Sequence, residues 1–188
     1  DIIIGTQILA KGLDLPHLGH VLIPQADAGL ALPDYTARER TFQLLAQVVG
    51  RVGRRQEKTA VTIQTYQPHH PVIAYGSQQD YAGFYHDESA QRARSMLPPF
   101  SYLARFTCRY KTESAAIRAS HTLYRALQQH AGASVTIMRP TPRFYEYQHG
   151  SYHWQIVLKS PTRRSLLAMA ELTPASKWQY ELDPATLL

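Results

Sequence analysis

Hydrophobic residues along this chain recur at two spacings, and the spacing changes from segment to segment. Asp1–Ile4 is a short apolar run of the kind that fills a buried strand, with Gly5-Thr6-Gln7 as the turn behind it and Ile8–Gly12 opening a short helix or loop. Leu18–Pro24 is a second apolar run, read as a neighbouring strand, and Asp27-Ala28-Gly29 as a loop. Thr36-Ala37-Arg38-Glu39 has the spacing of a capping box. Beyond it Phe42, Leu45 and Val49 mark one helical face, which Leu44 and Val48 widen. Thr59–Tyr66 alternates with β-branched residues and reads as a strand. Strand, connection, strand, helix, strand predicts an open parallel α/β sheet, whose ligands sit at the carboxyl ends of the strands, where Gly5-Thr6-Gln7 falls.

Pro68–Pro71 interrupts this pattern, and two helical stretches follow, about 72–79 and 80–96. Leu97-Pro98-Pro99-Phe100 then reads as a boundary, because paired prolines continue neither helix nor sheet. Past it, Ser101–Tyr110 predicts a strand, Ser114–Ala131 a helix, Ser134–Met138 a strand and Pro140–Gly150 a long aromatic and basic loop. Tyr152–Lys159, Thr162–Leu172 and Lys177–Leu182 predict strand, helix and strand. The order βαββαβ is that of a ferredoxin-like α+β domain. The expected domains are therefore 1–67 (parallel α/β), 68–100 (a helical connector) and 101–188 (ferredoxin-like).

Composition narrows the function classes. The chain has 188 residues, 44% of them hydrophobic, and a single cysteine. No run approaches the roughly 18–20 apolar residues of a membrane span, and the start is not a signal peptide, so the expectation is a soluble cytoplasmic protein with no membrane partner. One cysteine excludes an internal disulfide and a multi-cysteine zinc site. Cys108 alternates with apolar neighbours and reads as a small packed side chain. A chain entering directly into a strand pattern without an initiator methionine is expected to be a fragment of something longer. Lys and Arg against Asp and Glu number 9 and 9 in residues 1–97, and 11 and 5 in residues 98–188, so the whole net charge of +6 lies in the second half. That asymmetry points to an anionic partner, nucleic acid first, or to a merely soluble basic domain.

The candidate chemistry centres on Gln47-Val48-Val49-Gly50-Arg51-Val52-Gly53-Arg54. At about 100° per residue, Gln47, Arg51 and Arg54 fall in one sector of a helix. Guanidinium groups there can fork around phosphate oxygens, or simply complement the dipole at a helix end. In the second half, Tyr145, Tyr147, Tyr152, His153 and Trp154 gather around Arg139, Arg143 and the Gly150 turn. Such a mixture can stack bases and hold a backbone, though alternate residues of the 152–158 strand are expected to pack on the helices. Arg163-Arg164 at a helix start reads as exposed phosphate-binding charge. No Gly-x-x-x-x-Gly-Lys-Ser/Thr phosphate loop occurs. His86-Asp87-Glu88-Ser89 looks like a metal-holding Asp-Glu box but lies in a polar helical stretch, and reads as a solvated face.

The loop Gly5-Thr6-Gln7-Ile8-Leu9-Ala10-Lys11-Gly12-Leu13-Asp14-Leu15-Pro16, followed by Gln47-x-x-Gly50-Arg51-x-Gly53-Arg54, resembles motifs V and VI of superfamily-two helicases. Between them stand Asp27-Ala28-Gly29-Leu30 and Pro33-Asp34-Tyr35-x-Ala37-x-Glu39-Arg40-x-x-Gln43-Leu44-Leu45-x-Gln47-Val48. With Leu97-Pro98-Pro99-Phe100, Tyr152-x-Trp154-Gln155-Ile156 and Asp183-Pro184, the combination resembles the primosomal protein N′ family of bacterial replication restart helicases nearly end to end.

The resemblance implies that residues 1–67 are the closing portion of a RecA-like second helicase lobe and that the ferredoxin-like part is the family's C-terminal domain. It implies Arg54 as an arginine finger toward a γ-phosphate, Arg51 as its partner and Gln47 as a hydrogen-bonding support. Gly12 and Asp14 would link the nucleotide cleft to a DNA contact made by Thr6 and Gln7, with Lys11 either a DNA-phosphate contact or a solvated charge. In the C-terminal domain, Arg139, Arg143, Tyr147, Arg163 and Arg164 are the candidate DNA contacts. Gln155 would help hold the tail of single-stranded DNA-binding protein. Ser151 stands where relatives carry the accompanying arginine, and Thr36 where they usually carry another. ATP and Mg²⁺ would be shared with a missing first lobe, and the family's zinc cysteines lie upstream, none of them here. The implied activity is an ATP-dependent 3′-to-5′ DNA helicase that recognises forked or branched DNA and restarts replication with primosome proteins. This piece would not hydrolyse ATP unaided. The alternatives are a non-catalytic DNA-structure or partner-binding module with a vestigial helicase lobe, and a fork helicase of the RecG kind, which lacks the Pro-Asp-Tyr to Gln-Leu-Leu segment.

Overall fold

A computed structural model describes residues 2–6, 19–52 and 60–188, the side chains of 51 and 52 excepted. The chain divides into two compact units, one of residues 1–32 and 36–89, the other of residues 33–35 and 90–188. Among the described residues no helix is long and apolar enough to cross a membrane.

The first unit is a small parallel sheet with helices. Strands β1 (His20–Ile23) and β2 (Ala60–Ile63) pair in parallel, His20 with Ala60 through Ile23 with Ile63. Between them run a short 3-10 helix, Ala28–Ala31, and helix α1 (Ala37–Val52). Helix α2 (Pro71–Gln78) and helix α3 (Tyr81–Arg94) follow, and the division between the units falls within α3. The stop at Pro68–Pro71 has a local cause. Pro71 opens α2 at a position whose N–H is unused in any helix, and His70 caps it by accepting from the Val72 amide at 3.3 Å. Burial, then the Arg38 guanidinium, lowers the His70 pKa below its ordinary value, while Asp87 opposes. The neutral imidazole that can accept this bond is thereby favoured.

The α1 face read from its period is the one that packs. Leu45 sits with Ala26 and Ile73, and Phe42 with Val72 and Phe84. The Phe42 and Phe84 rings stack at 4.1 Å. Two expectations need correcting. Ile2, Ile3 and Ile4 are exposed and lie in no strand. The described sheet of this unit contains only β1 and β2, so no described neighbour offers the run a ladder to join. Asp87 and Glu88 are not a solvated face either. Arg38 of α1 reaches Asp87 at 2.5 Å and Glu88 at 2.8 Å, and Glu88 is buried. A polar helical stretch hid an interhelical ion pair, because the partner lies on another helix.

The second unit is an antiparallel sheet backed by two helices. Its elements are β3 (Tyr102–Tyr110), α4 (Glu113–His130), β4 (Thr136–Ile137), β5 (Thr141–Gln148), β6 (Ser151–Ser160), α5 (Arg163–Glu171) and β7 (Trp178–Leu182). The sheet order is β4-β6-β3-β7, with β5 also paired to β6. Each pairing is antiparallel. Alternation sends Ala104, Phe106, Cys108, Ile156 and Leu158 to one face, where Leu123 and Leu127 of α4 and Leu166 and Met169 of α5 cover them. Each such large apolar side chain contributes about 1.5–3 kcal/mol when fully buried. Trp154 packs at the margin of this core. Cys108 is buried in it, and burial pushes its thiol up to about 11.

The stretch read as a loop, 140–150, is instead β5 and a tight hairpin. His149 and Gly150, with φ of 49° and 73°, turn the chain directly from β5 into β6. Two residues of positive φ suit the right-handed twist of a hairpin. Pro142 and the bulge between Pro142 and Tyr147 mask the strand period in the sequence.

Close approach of α1 and α2 rests on Gly76, where a Cβ would lie 2.7 Å from Leu45 Cβ. Gly76→Ala is therefore expected to lower the unfolding free energy by about 1–3 kcal/mol, measured by urea denaturation, despite the better helix propensity of alanine.

Candidate functional site

In the first unit, the residues at the carboxyl ends of β1 and β2 are held by main-chain bonds, Gln64 N to Ile23 O and Ala26 N to Gln64 O. Asp27, buried, accepts from the Tyr66 amide at 3.0 Å and so ties the two strand ends together. Its role was missed in the sequence, where it reads as a loop residue; the available signal was its place directly behind an apolar strand. Gln47 is exposed on α1, and Arg51 occupies the position one turn later in the same helix. Thr6 is exposed and outside regular structure. Gln7, Lys11, Gly12, Asp14 and Arg54 lie outside the described residues.

The second unit gathers more groups. The sheet face away from α4 and α5 carries Arg105, Thr107 and Arg109 from β3, and Ser151, His153 and Gln155 from β6, since residues two apart share a face. Residues 184–188 lie along this face. Arg105 donates to Thr186 O at 3.0 Å, to Leu188 O at 3.2 Å and to Glu181 at 2.6 Å. Arg143 donates to Leu188 O at 2.7 Å, and the Gln155 amide to Leu187 O at 3.5 Å. Burial first, then the Arg105 guanidinium, lowers the Arg143 pKa below its ordinary value, and Glu181 opposes them. Residues 33–35 belong to this unit through the same tail. Tyr35 donates its hydroxyl to Pro184 O at 2.8 Å, and Asp34 accepts from Thr186.

A cavity of about 510 Å³ opens beside the tail, lined among others by Arg139, Arg143, Phe144, Gln155 and Leu187. A larger one, about 810 Å³, lies over the sheet, where Arg105, Arg109, Arg143, His149, His153 and Lys177 contribute to its walls. The β5 hairpin displays exposed aromatic rings. Phe144 and Tyr145 meet edge to face at 5.0 Å, and Tyr147 leans on Tyr152 at 4.9 Å.

The family model described as the primosomal protein N C-terminal domain matches residues 93–185. Residues 93–185 thus carry the C-terminal domain of the primosomal protein N family. Across its length the chain is similar to proteins named replication restart protein PriA. It is 38% identical over 195 residues to that of Treponema pallidum, covering 100% of this chain and 30% of the relative. With that of Bacillus subtilis the identity is 37% over 169 residues, covering 90% and 21%. With that of Chlamydia pneumoniae it is 32% over 193 residues, covering 99% and 26%. The chain thus spans less than a third of the length of these relatives.

The primosomal protein N domain brings Arg143 and Gln155 together around one strip of chain, with Arg139 at the rim of the adjoining cavity. Ser151 lies on the same strand face as Gln155, at the hairpin end and paired with Gln148. Tyr147 is exposed on β5. Arg163 and Arg164 start α5 on another side of the domain's chain path. Arg163 pairs with Asp183 at 2.8 Å and lies 4.8 Å from the Tyr102 ring centroid, whereas Arg164 is exposed. Arg105 and His153 complete the cluster. Arg105 was legible only as a polar position in an alternating strand.

Arg105→Met removes the charged bonds to Thr186 and Leu188, and leaves behind only Glu181, which is half exposed. Charge-assisted bonds are worth about 1.5–3 kcal/mol, so amide hydrogen exchange at residues 186–188 is expected to speed at least tenfold, roughly, while exchange in β3 and β6 changes little.

Proposed function

We propose that this chain is part of an ATP-dependent 3′-to-5′ DNA helicase of replication restart, contributing the end of its second RecA-like lobe and a ferredoxin-like C-terminal domain. The observation that carries this reading is similarity to replication restart proteins along the whole chain, joined to the ordered segments around Thr6 and Gln47–Arg54. The parallel pairing of β1 and β2 around α1 suits the first part. The antiparallel order β7-β3-β6-β4 suits the second.

In this reading ATP and Mg²⁺ bind between the second lobe and a first lobe supplied by other parts of the protein, which also supply the zinc cysteines. Arg54 reaches the γ-phosphate as charge spreads in the transition state, Arg51 assists, and Gln47 supports them by hydrogen bonding. Thr6, Gln7 and Lys11 hold a DNA phosphate, and Gly12 and Asp14 couple that contact to the nucleotide. The C-terminal domain meets forked or branched DNA with Arg139, Arg143, Tyr147, Arg163 and Arg164. Gln155, with Ser151 beside it, faces a partner such as the tail of single-stranded DNA-binding protein, and primosome proteins complete the assembly in the bacterial cytoplasm. The basic balance of residues 98–188 favours a second reading, a DNA-structure-binding module whose helicase lobe is vestigial.

Arg54→Ala in the longer protein is expected to lower DNA-stimulated ATP hydrolysis by about 10³-fold or more, with DNA binding retained. An unchanged rate would remove the finger assignment, and an inactive parent protein would favour the second reading. For the C-terminal domain, Arg139→Ala and Arg164→Ala are each expected to reduce the slope of log K against log salt for forked DNA by about 1. Equilibrium titrations at several salt concentrations read this directly.

A further inference from the structure

The register of the second unit lines up its polar sheet face in rows. Glu181, Arg105 and Val157 form one row across β7, β3 and β6, and Gln179, Thr107 and Gln155 the next. Arg109 stands opposite His153 in the third. One step beyond the last β3–β7 pair, Cys108 with Trp178, the same register sets Lys177 beside Arg109. Like charges directly opposite one another on a sheet repel. This row joins two cations and an imidazole, and the larger cavity, about 810 Å³, opens over it. The carboxylate in its walls, Glu181, is already bonded to Arg105 at 2.6 Å.

A second observation points into the same space. His153 is only 8% exposed, and its Nε2 has no hydrogen-bond partner among the described residues. A buried polar atom left so costs about 1–3 kcal/mol and calls for a partner in the cavity its ring borders. Arg109 and Lys177 are exposed at the same place.

We propose that the row Lys177, Arg109 and His153 is a phosphate-binding site, with His153 donating from Nε2 to one oxygen and the two cations taking others. Groups arriving from three segments need an anion whose oxygens point in several directions, which a tetrahedral phosphate supplies and a planar carboxylate does not. The phosphate is that of a nucleic-acid strand or a free one.

Binding at this site is linked to a proton. In the free protein burial, and then the charges of Arg109, Arg143 and His149, lower the His153 pKa below its ordinary value, while a backbone bond with Gln148 opposes them. An anion among these groups reverses the field, so His153 takes a proton from solvent as the ligand enters. The affinity therefore rises as pH falls. Glu181 stays bonded to Arg105.

None of the three residues of this site is among the contacts proposed above, although its cavity is shared with Arg143 and His149, and its test separates it from the motor reading and from the hairpin contacts. The 188-residue chain is titrated with inorganic phosphate and, separately, with a short thymidine oligomer whose phosphodiesters do not titrate between about pH 6 and pH 8. Arg109→Gln is expected to weaken binding about tenfold in whichever arm binds, and Arg125→Gln, exposed on α4 behind the sheet, to leave it unchanged. For the oligomer, wild-type affinity is expected to rise up to about tenfold on lowering the pH by two units, and His153→Gln to abolish most of that rise. Binding in both arms assigns the site to a strand, binding of inorganic phosphate alone to a free phosphate, and either supports it. Absence of wild-type binding in both arms, or wild-type affinity in a folded Arg109→Gln, overturns it. Arg109 is exposed, so that variant carries the test even if His153→Gln fails to fold. Oligomer binding that is weakened by Tyr147→Ala but not by Arg109→Gln would overturn this site and leave the hairpin contacts standing.

Discussion

The pairing of β3 with β6 runs unbroken from Tyr102–Ser160 to Tyr110–Tyr152, and most of the second unit is arranged by it. Because side chains alternate, one register decides at once which residues enter the core and which face outward. Phe106 and Ile156 go in, and Arg109 and His153 come out. A slip by a single residue would put guanidinium groups against α4 and α5 and expose the aromatic core. The apolar face holds the register, and the register places the charges.

The same arrangement explains why the outer face is polar without being loose. Arg105 is buried because Glu181 and the carbonyl oxygens of Thr186 and Leu188 satisfy its guanidinium. Arg143 and Gln155 meet the neighbouring carbonyl oxygens of the tail. Held by main-chain oxygens, and in Arg105 by Glu181 as well, these guanidinium groups lose much of their freedom. The result is a preorganised positive surface, which suits an anionic partner better than scattered surface lysines would.

Much of this was legible in the sequence. Alternation in Tyr102–Tyr110 and Ser151–Ser160, and the helical stripes of α1 and α4, are signals of a chain burying one face of each element, and such signals are local. What the sequence hid was non-local or locally disguised. β5 carries a proline and a bulge, and its strand character comes from the partner rather than from its own period. Glu88 reads as solvated until Arg38 is brought to it by the packing of α1 on α3. Ile2–Ile4 carry the composition of a buried strand, yet composition cannot supply a neighbouring strand. As for the candidate site, the types of residue were visible, but the row that joins Arg109 to His153 depends on a register that no single segment encodes. Arg51 and Arg54 show the converse, a pattern legible in the sequence alone, since the structure leaves their side chains undescribed.

Asp34 and Tyr35 precede α1 in the chain, yet they belong to the second unit and bond to its Thr186 and Pro184. The ribosome delivers these partners far apart in time. The strip that closes over the outer sheet face therefore receives this fastening only after the helices and strands between residues 35 and 184 have been made. A single cut between α3 and β3 would leave this fastening behind, because one of its halves is written ahead of α1.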